Sequence, residues 1–256
     1  MPSFSNTTSR PFPKRLYTLS EVALAGLLLL MLGVALPTLL ESAVNWWLAA
    51  GLYVLMGTLV VSFWPYGPLG WANRVTLGRG VLVTIVAGAL AASAFTNAIW
   101  LWLAVAVIAL LLDGVDGWIA RHTKTHTPFG ARFDMELDAL LILLLCIGLL
   151  QSEHLGVWVL LIGGVRYLFV AASWQLPWLK APLFDSFRRK AVCVWQVVAL
   201  LLALTPLTSP LAASLLALSA LATLIYSFGF DVWWLHRQHK CQTSPAADWR
   251  KNDNHI

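Results

Sequence analysis

Apolar positions along this chain come in blocks rather than in alternation. No charged residue occurs from Val22 to Leu40, from Ser42 to Asn73, from Gly80 to Leu112 or from Ala191 to Phe230. Crossing the hydrocarbon core takes about 20 apolar residues in a helix. The blocks at 80–112 and 191–230 are too long for one span each and too short for three. Each has a polar interruption near its middle, Ser93-Ala94-Phe95-Thr96-Asn97 in one and Thr205-Pro206-Leu207-Thr208-Ser209-Pro210 in the other. Turn formers at those places divide each block in two. The pattern predicts eight spans, at about 21–40, 44–64, 74–95, 97–121, 131–151, 155–176, 188–206 and 210–235. Only helices or closed barrels satisfy the backbone in lipid, and barrel strands alternate over about ten residues, so these spans are helical. The fold class is an all-α polytopic membrane protein.

Composition agrees. Of 256 residues, 59% are hydrophobic and 11% charged, against about 25% charged in soluble domains. Mean hydropathy is +0.74. These values exclude a soluble enzyme, a disordered chain and a secreted disulfide scaffold. The basic residues set the orientation. With the N-terminus in the cytoplasm, sixteen of the 17 Lys and Arg fall in cytoplasmic segments, while the opposite loops carry Glu41 and Glu153. The remaining one, Arg166, lies inside a span. Eight spans with both termini cytoplasmic thus follow the positive-inside rule. The reading is a multi-pass protein of the inner (cytoplasmic) membrane. Trp46, Trp47, Trp64, Trp71, Trp174, Trp178, Trp233 and Trp234 fall near span ends, where indole is favoured. The apolar stretch after the basic segment Ser3–Thr18 is longer than a signal-peptide core, so it reads as a retained helix. Cys146, Cys193 and Cys241 show no metal spacing and imply no disulfide. The net charge of +5 suits anionic lipid headgroups and requires no nucleic-acid partner.

Five of the 12 acids lie between positions 113 and 138: Asp113, Asp116, Asp134, Glu136 and Asp138. Carboxylates near membrane depth line cavities, pair or bind ions. Asp113, Asp116, Gly117, Ala120 and Arg121 follow helical spacing and share one stripe, as do Gly130, Asp134 and Asp138 on the next helix. The short link His122–Phe129 makes the two helices antiparallel neighbours. Four aspartates then converge near the cytoplasmic surface, and would repel unless protonated or bridged by cations. Hard divalent ions with oxygen ligands are the natural solution, Mg2+ or Mn2+, and two of them can clamp a phosphoryl displacement. Gly117, Ala120 and Gly130 keep a groove open beside the acids, or else serve close helix packing. Arg121 can neutralise phosphate there. Glu136 faces away from the stripe.

Residues 113–138 read D-G-V-D-G-W-I-A-R-H-T-K-T-H-T-P-F-G-A-R-F-D-M-E-L-D. This resembles the CDP-alcohol phosphatidyltransferase signature, D-x2-D-G-x2-A-R-x8-G-x3-D-x3-D, at every fixed position. Upstream, Asn73, Thr76 and Arg79 resemble the N-x2-T-x2-R that often opens the first core helix of that family. The resemblance implies a six-helix catalytic core at 74–235. Around it lie a tail at 1–20, two extra helices at 21–64 and a tail at 236–256. It implies an enzyme that breaks the diphosphate of a CDP-linked lipid, releases CMP and joins the phosphoryl group to an alcohol. By the same resemblance Asp113, Asp116 and Asp134 are metal ligands, and Asp138 is a ligand or the base on the acceptor hydroxyl. Gly117, Ala120, Arg121 and Gly130 shape the nucleotide pocket, and a homodimer is implied.

Outside the signature, Arg166 is an intramembrane arginine and so a candidate for anion binding. Arg188-Arg189-Lys190 opens the seventh span, either as a positive-inside anchor or as a phosphate site for lipid donor or acceptor. Lys190 and Gln196 depart from the Lys-Thr-x-x-Gln often found in the family, which leaves the subfamily unassigned. Asn73, Thr76 and Arg79 are read as helix-start residues in contact with nucleotide or phosphate. Asp185 and Asp231 read as isolated and interfacial. CDP-diacylglycerol is the expected donor. The rivals are a soluble CDP-alcohol with a lipid acceptor, a divalent-cation transporter and an inactive scaffold. A transporter would place its acids near the midplane of repeated or broken helices; no repeat is visible, and all four aspartates are present.

Overall fold

A charge-free block in lipid satisfies its backbone as a helix or in a closed barrel, and the described residues take the helix. A computed structural model describes residues 12–64, 68–123, 127–152, 155–175 and 187–243. Among the described residues are nine α-helices, two short 3-10 turns and no strand. They are α1 (Phe12–Ala35), α2 (Ala43–Phe63), α3 (Trp71–Leu90), α4 (Ala94–Asn97), α5 (Ile99–Thr123), α6 (Pro128–Gln151), α7 (Leu160–Gln175), α8 (Phe187–Leu204) and α9 (Pro210–Thr243). Eight of these are long and correspond one to one with the expected spans.

The ends differ in places. α1 begins at Phe12 and stops at Ala35, ahead of the expected 21–40. The reason is that the polar segment before Glu21 is itself a good helix former, and Pro37 bars continuation. α5 stays helical to Thr123 and α6 starts at Pro128, so the expected eight-residue link is shorter, with His122 and Phe129 both in helices. Proline at the first helical position suits that start. Lys124, His126, Glu153, Trp178, Lys180 and Asp185 lie outside the described residues.

Among the described residues, four helical segments are long and apolar enough to cross a membrane: Arg15–Ala35, Ala43–Phe63, Ile99–Trp118 and Pro210–Leu235. Val157–Phe169 and Ala191–Leu204 are shorter apolar helices. α3 and α6 stand apart because each carries charged residues in its first half, Arg74 and Arg79 in one and Arg132, Asp134, Glu136 and Asp138 in the other. Large apolar side chains point outward, such as Leu24, Met31 and Val34 on α1 and Leu211, Leu215 and Ile225 on α9. That surface belongs in lipid rather than water.

The helices group into two units, Met1–Leu144 and Leu145–Ile256, with the boundary inside α6. In the first, α3 is the central element and packs against α1, α2 and α5. Val81, Ile85, Val86 and Ala89 are fully enclosed. α2 and α3 approach closely at Gly88, where a Cβ would lie 2.8 Å from the Asn45 carbonyl oxygen and 2.9 Å from Ala49 Cβ. Such small-residue contacts substitute for the hydrophobic effect between helices in lipid. Asn45 is fully buried and its amide donates to the carbonyls of Gly88, at 2.8 Å, and of Ala91. These lie where α3 runs out of intrahelical donors. Ala92 follows with φ 52, a left-handed conformation that costs a non-glycine residue about 1–2 kcal/mol. The break expected at 93–97 falls earlier, as a sharp turn at Ala91–Ser93 held by a side chain from another helix, and residues 94–97 form the short helix α4.

In the second unit α8 packs along α9, and α7 also touches α9. Buried Gln196 on α8 donates to the Ile162 carbonyl at 3.2 Å. The Thr205–Pro210 break is a turn closed by the Thr208 N–H donating to the Thr205 carbonyl at 3.0 Å, with Pro210 opening α9.

Candidate active site

Three helices of the first unit supply the polar cluster. Asp113 and Asp116 lie three residues apart on α5, Asp134 and Asp138 four apart on α6, and Thr76 and Arg79 three apart on α3. Each pair therefore shares a face of its helix. Asp113, Asp116 and Asp134 each offer an oxygen within 4.8 Å of the others. The two signature stripes thus bring three of their four aspartates together, while the helix that packs most closely along α5 is α3 rather than α6.

Burial grades across the cluster. Asp116 is 3% exposed, and its Oδ2 lies 2.9 Å from the Thr76 hydroxyl. That hydroxyl is also 3.0 Å from the Ala72 carbonyl; with one proton it donates to one acceptor at a time. The side chains of Asp113, Asp134 and Asp138 are 31%, 36% and 44% exposed. One carboxylate is thus anchored in the protein, and three face outward where a ligand can meet them.

Arg79 sits among them and is 1% exposed. One guanidinium nitrogen pairs with Asp113 and lies 3.4 Å from Asp138 Oδ1. The other is 2.7 Å from Asp134 Oδ1 and donates to the Asp134 carbonyl at 3.1 Å. A planar fork of donors suits this bridging role better than a lysine would. The sequence reading sent Arg79 towards nucleotide or phosphate; in the structure it binds the aspartates. Nor do Asn73, Thr76 and Arg79 start a helix: α3 begins at Trp71 with Gly70 as the capping residue, so all three lie inside it. A lone N-x2-T-x2-R cannot reveal which long-range partners its side chains find.

The charge does not balance. Four carboxylates surround one guanidinium. Two carboxylates about 4 Å apart repel by roughly 4 kcal/mol even at an effective dielectric constant near 20. A hard divalent cation relieves that repulsion, and the donors are all oxygen, as Mg2+ and Mn2+ prefer. Ligand oxygens of one octahedral Mg2+ lie at most about 4.2 Å apart, twice the ~2.1 Å bond. The 4.8 Å spread of the triad is close to that span. The cluster fits a divalent metal.

The other expected site residues divide. Gly130 does not border open space: a Cβ there would lie 2.5 Å from Asn73 Oδ1 and 2.9 Å from Thr127 Oγ1. It lets α6 close on α3, the packing alternative, and places Asn73 beside the start of α6. Gly117 follows Asp116 on α5 and is half-buried, and Ala120 and Arg121 continue the same helix. Glu136 is exposed, as its spacing required. Phe129 and Phe133 stack along α6, with Trp64 edge-on to Phe129 at 5.8 Å.

In the second unit, Arg166 is half-buried on α7, and Arg188, Arg189 and Lys190 open α8. Arg188 pairs with Asp231 of α9 at 2.6 Å and lies 4.2 Å over the Phe230 ring. Asp231 is 6% exposed. It is therefore not isolated, contrary to the sequence reading, because its partner comes from 43 residues away. The mid-helix charge at the end of a 40-residue apolar stretch was the available signal, since a buried acid requires a partner.

No curated protein and no solved structure matches the chain. A protein-family match does cover most of it. Residues 69–226 match CDP-alcohol phosphatidyltransferase, a region that includes α3, α5 and α6 and every member of the acidic cluster. The chain belongs to the CDP-alcohol phosphatidyltransferase family, and is a membrane transferase of phospholipid synthesis rather than a cation transporter.

Proposed function

We propose that the protein cleaves the diphosphate of CDP-diacylglycerol, releases CMP and transfers the phosphatidyl group to a small alcohol. The observation that carries this reading is the triad of aspartate oxygens within 4.8 Å, contributed by two helices of the family-matched region. Asp113, Asp116 and Asp134, with Asp138 at the rim, are the proposed ligands of two Mg2+ or Mn2+ ions. When bound, the ions supply charge neutralisation for the diphosphate and for the leaving oxygen. Asp116, fixed by Thr76, gives the site a rigid floor. Asp138 is the most exposed of the four, and is proposed as the base that takes the proton of the acceptor hydroxyl. Gly117, Ala120 and Arg121 are proposed to line the nucleotide side, and Gly130 serves it indirectly, by letting α6 close against Asn73 of α3. Thr76 and Arg79 serve it indirectly, by holding the carboxylates that face it.

Arg166, Arg188, Arg189 and Lys190 are proposed to receive the phosphate of the lipid or of a phosphorylated acceptor. The site is placed at the cytoplasmic face of the inner membrane, with both termini cytoplasmic, because the basic residues segregate to that side of the spans. A homodimer and a core of six helices preceded by two others complete the reading.

The test is release of CMP from CDP-diacylglycerol by the purified full-length protein in mixed micelles, with Mn2+ or Mg2+ and a panel of alcohols. Turnover should require both nucleotide lipid and metal, and should vanish in excess chelator and return on adding Mn2+. Undiminished turnover in chelator sinks the metal site; transfer only from a water-soluble CDP-alcohol to diacylglycerol reverses donor and acceptor.

A further inference from the structure

Helix α3 carries Thr76 and Arg79, yet its own sequence does little to fix its start. Its capping residue is Gly70, with no side-chain cap, and there is no acid in its first turn. The first N–H groups of a helix have no intrahelical acceptor, and the positive end of the helix dipole favours an anion there. The second need is met from a distant part of the chain. Glu21, on α1, accepts from the Leu69 backbone N–H through Oε2 at 2.9 Å. Its Oε1 accepts from Arg74 Nη2 at 2.6 Å and Nε at 3.2 Å. The Glu21 side chain is 15% exposed, and the Arg74 guanidinium also lies 5.0 Å over the Trp71 ring. One carboxylate thus ties down Leu69, the residue before the cap of α3, and through Arg74 the first turn of the helix. A carboxylate inside a segment otherwise apolar enough to span a membrane is costly unless it has a task.

We infer that Glu21, on a helix outside the family-matched region, is a positioning residue for the active site, fixing the start of α3 and through it Thr76 and Arg79. Asn45 holds the other end of the same helix through Gly88 and Ala91. The N-terminal helix pair is then a brace for the catalytic face. This inference rests on the reaction proposed above, and its test separates the two.

Glu21→Ala and Glu21→Gln are compared with Tyr53→Phe in the full-length protein. The Tyr53 hydroxyl donates to the Val22 carbonyl, so its loss removes a bond between α1 and α2 and leaves both bonds of Glu21 to the start of α3 in place. Two readouts are used, CMP-release kinetics with Mn2+ and hydrogen exchange of the backbone amides at 69–76. Glu21→Ala should lower kcat on the order of tenfold, short of the roughly hundredfold that a misplacement of 1 Å can cost. KM for the nucleotide lipid should stay within about twofold, since uniform binding is untouched. Glu21→Gln, which keeps an acceptor for Leu69 but loses the charge on Arg74, should fall between, and Tyr53→Phe should match wild type. Exchange at 69–76 should rise in Glu21→Ala alone. Equal kcat losses in Glu21→Ala and Tyr53→Phe overturn the inference, as does unchanged exchange in Glu21→Ala. A wild-type protein that releases no CMP refutes the proposed reaction instead, while the exchange comparison still decides whether Glu21 holds α3.

Discussion

Two arginines on different helices meet carboxylates in opposite proportions. Arg79, in the first unit, is enclosed by Asp113, Asp134 and Asp138, with Asp116 beside them. Arg188, in the second, meets the single carboxylate of Asp231 and the faces of Phe230 and Tyr226. Among the described residues its Nη1 is buried with no hydrogen-bond partner. The first cluster has an excess of acceptors and the second an excess of donors. An excess of acceptors is stable only when cations arrive, and a spare buried donor is satisfied when an anion arrives. Two similar-looking ion pairs therefore point to opposite ligands. Counting salt bridges alone ranks the first cluster above the second, but does not show that the two call for ligands of opposite charge.

The largest expected effect comes from removing acceptors in the first cluster. Asp113→Asn and Asp138→Asn should each lower turnover on the order of 10³-fold, the middle of the range for losing a positioned acid, base or charge. The protein should still insert and elute as a single species, since both side chains are partly exposed. CMP release at saturating Mn2+ measures this. Substantial turnover in either variant would make that aspartate a packing residue.

A smaller but more telling effect concerns Arg79 itself. If guanidinium and metal share the work of neutralising the carboxylates, removing one should deepen dependence on the other. Arg79→Gln should lower the thermal midpoint without metal, because a buried pair broken on one side costs about 3–5 kcal/mol. Its partners are partly solvated, so the lower end applies. Mn2+ should then raise the midpoint of the variant more than that of wild type. Equal Mn2+ shifts in the two proteins would mean that Arg79 and the metal do not act on the same charges.

The contrast also explains what could be read in advance. Helix existence was legible from charge-free blocks, because lipid leaves the backbone no alternative. The facing of Asp113, Asp116 and Asp134 was legible too, since 3.6-residue periodicity across a short link fixes it. Partners distant in sequence were not. Arg79 reads as a phosphate ligand, Asp231 as a lone interfacial acid, and Gly130 as the wall of a groove. In each case the answer lay on another helix, at Asp113, Arg188 and Asn73. Glu21 and Asn45 drew no attention for the same reason. Periodicity reports which face a residue occupies, not what stands opposite it.

The smallest expected effect tests the donor-rich side. Asp231 holds one arm of Arg188 at 2.6 Å, and the Phe230 face restrains the guanidinium plane. Such a held fork is preorganised for a phosphate oxygen at the remaining nitrogen. Arg188→Lys keeps the charge but loses the fork, and Asp231→Asn keeps the shape but loses the restraint. Both should raise KM for an anionic substrate about tenfold, the size of one charge-assisted hydrogen bond, with kcat nearly unchanged. The measurement is steady-state CMP release, varying the nucleotide lipid and the acceptor separately. A KM effect confined to the acceptor assigns the phosphate to the alcohol, and one confined to the lipid assigns it to the donor. If kcat falls instead, the pair acts on the chemical step and the opposition between the two clusters fails. If neither parameter moves, Arg188 and Asp231 serve only to join α8 to α9.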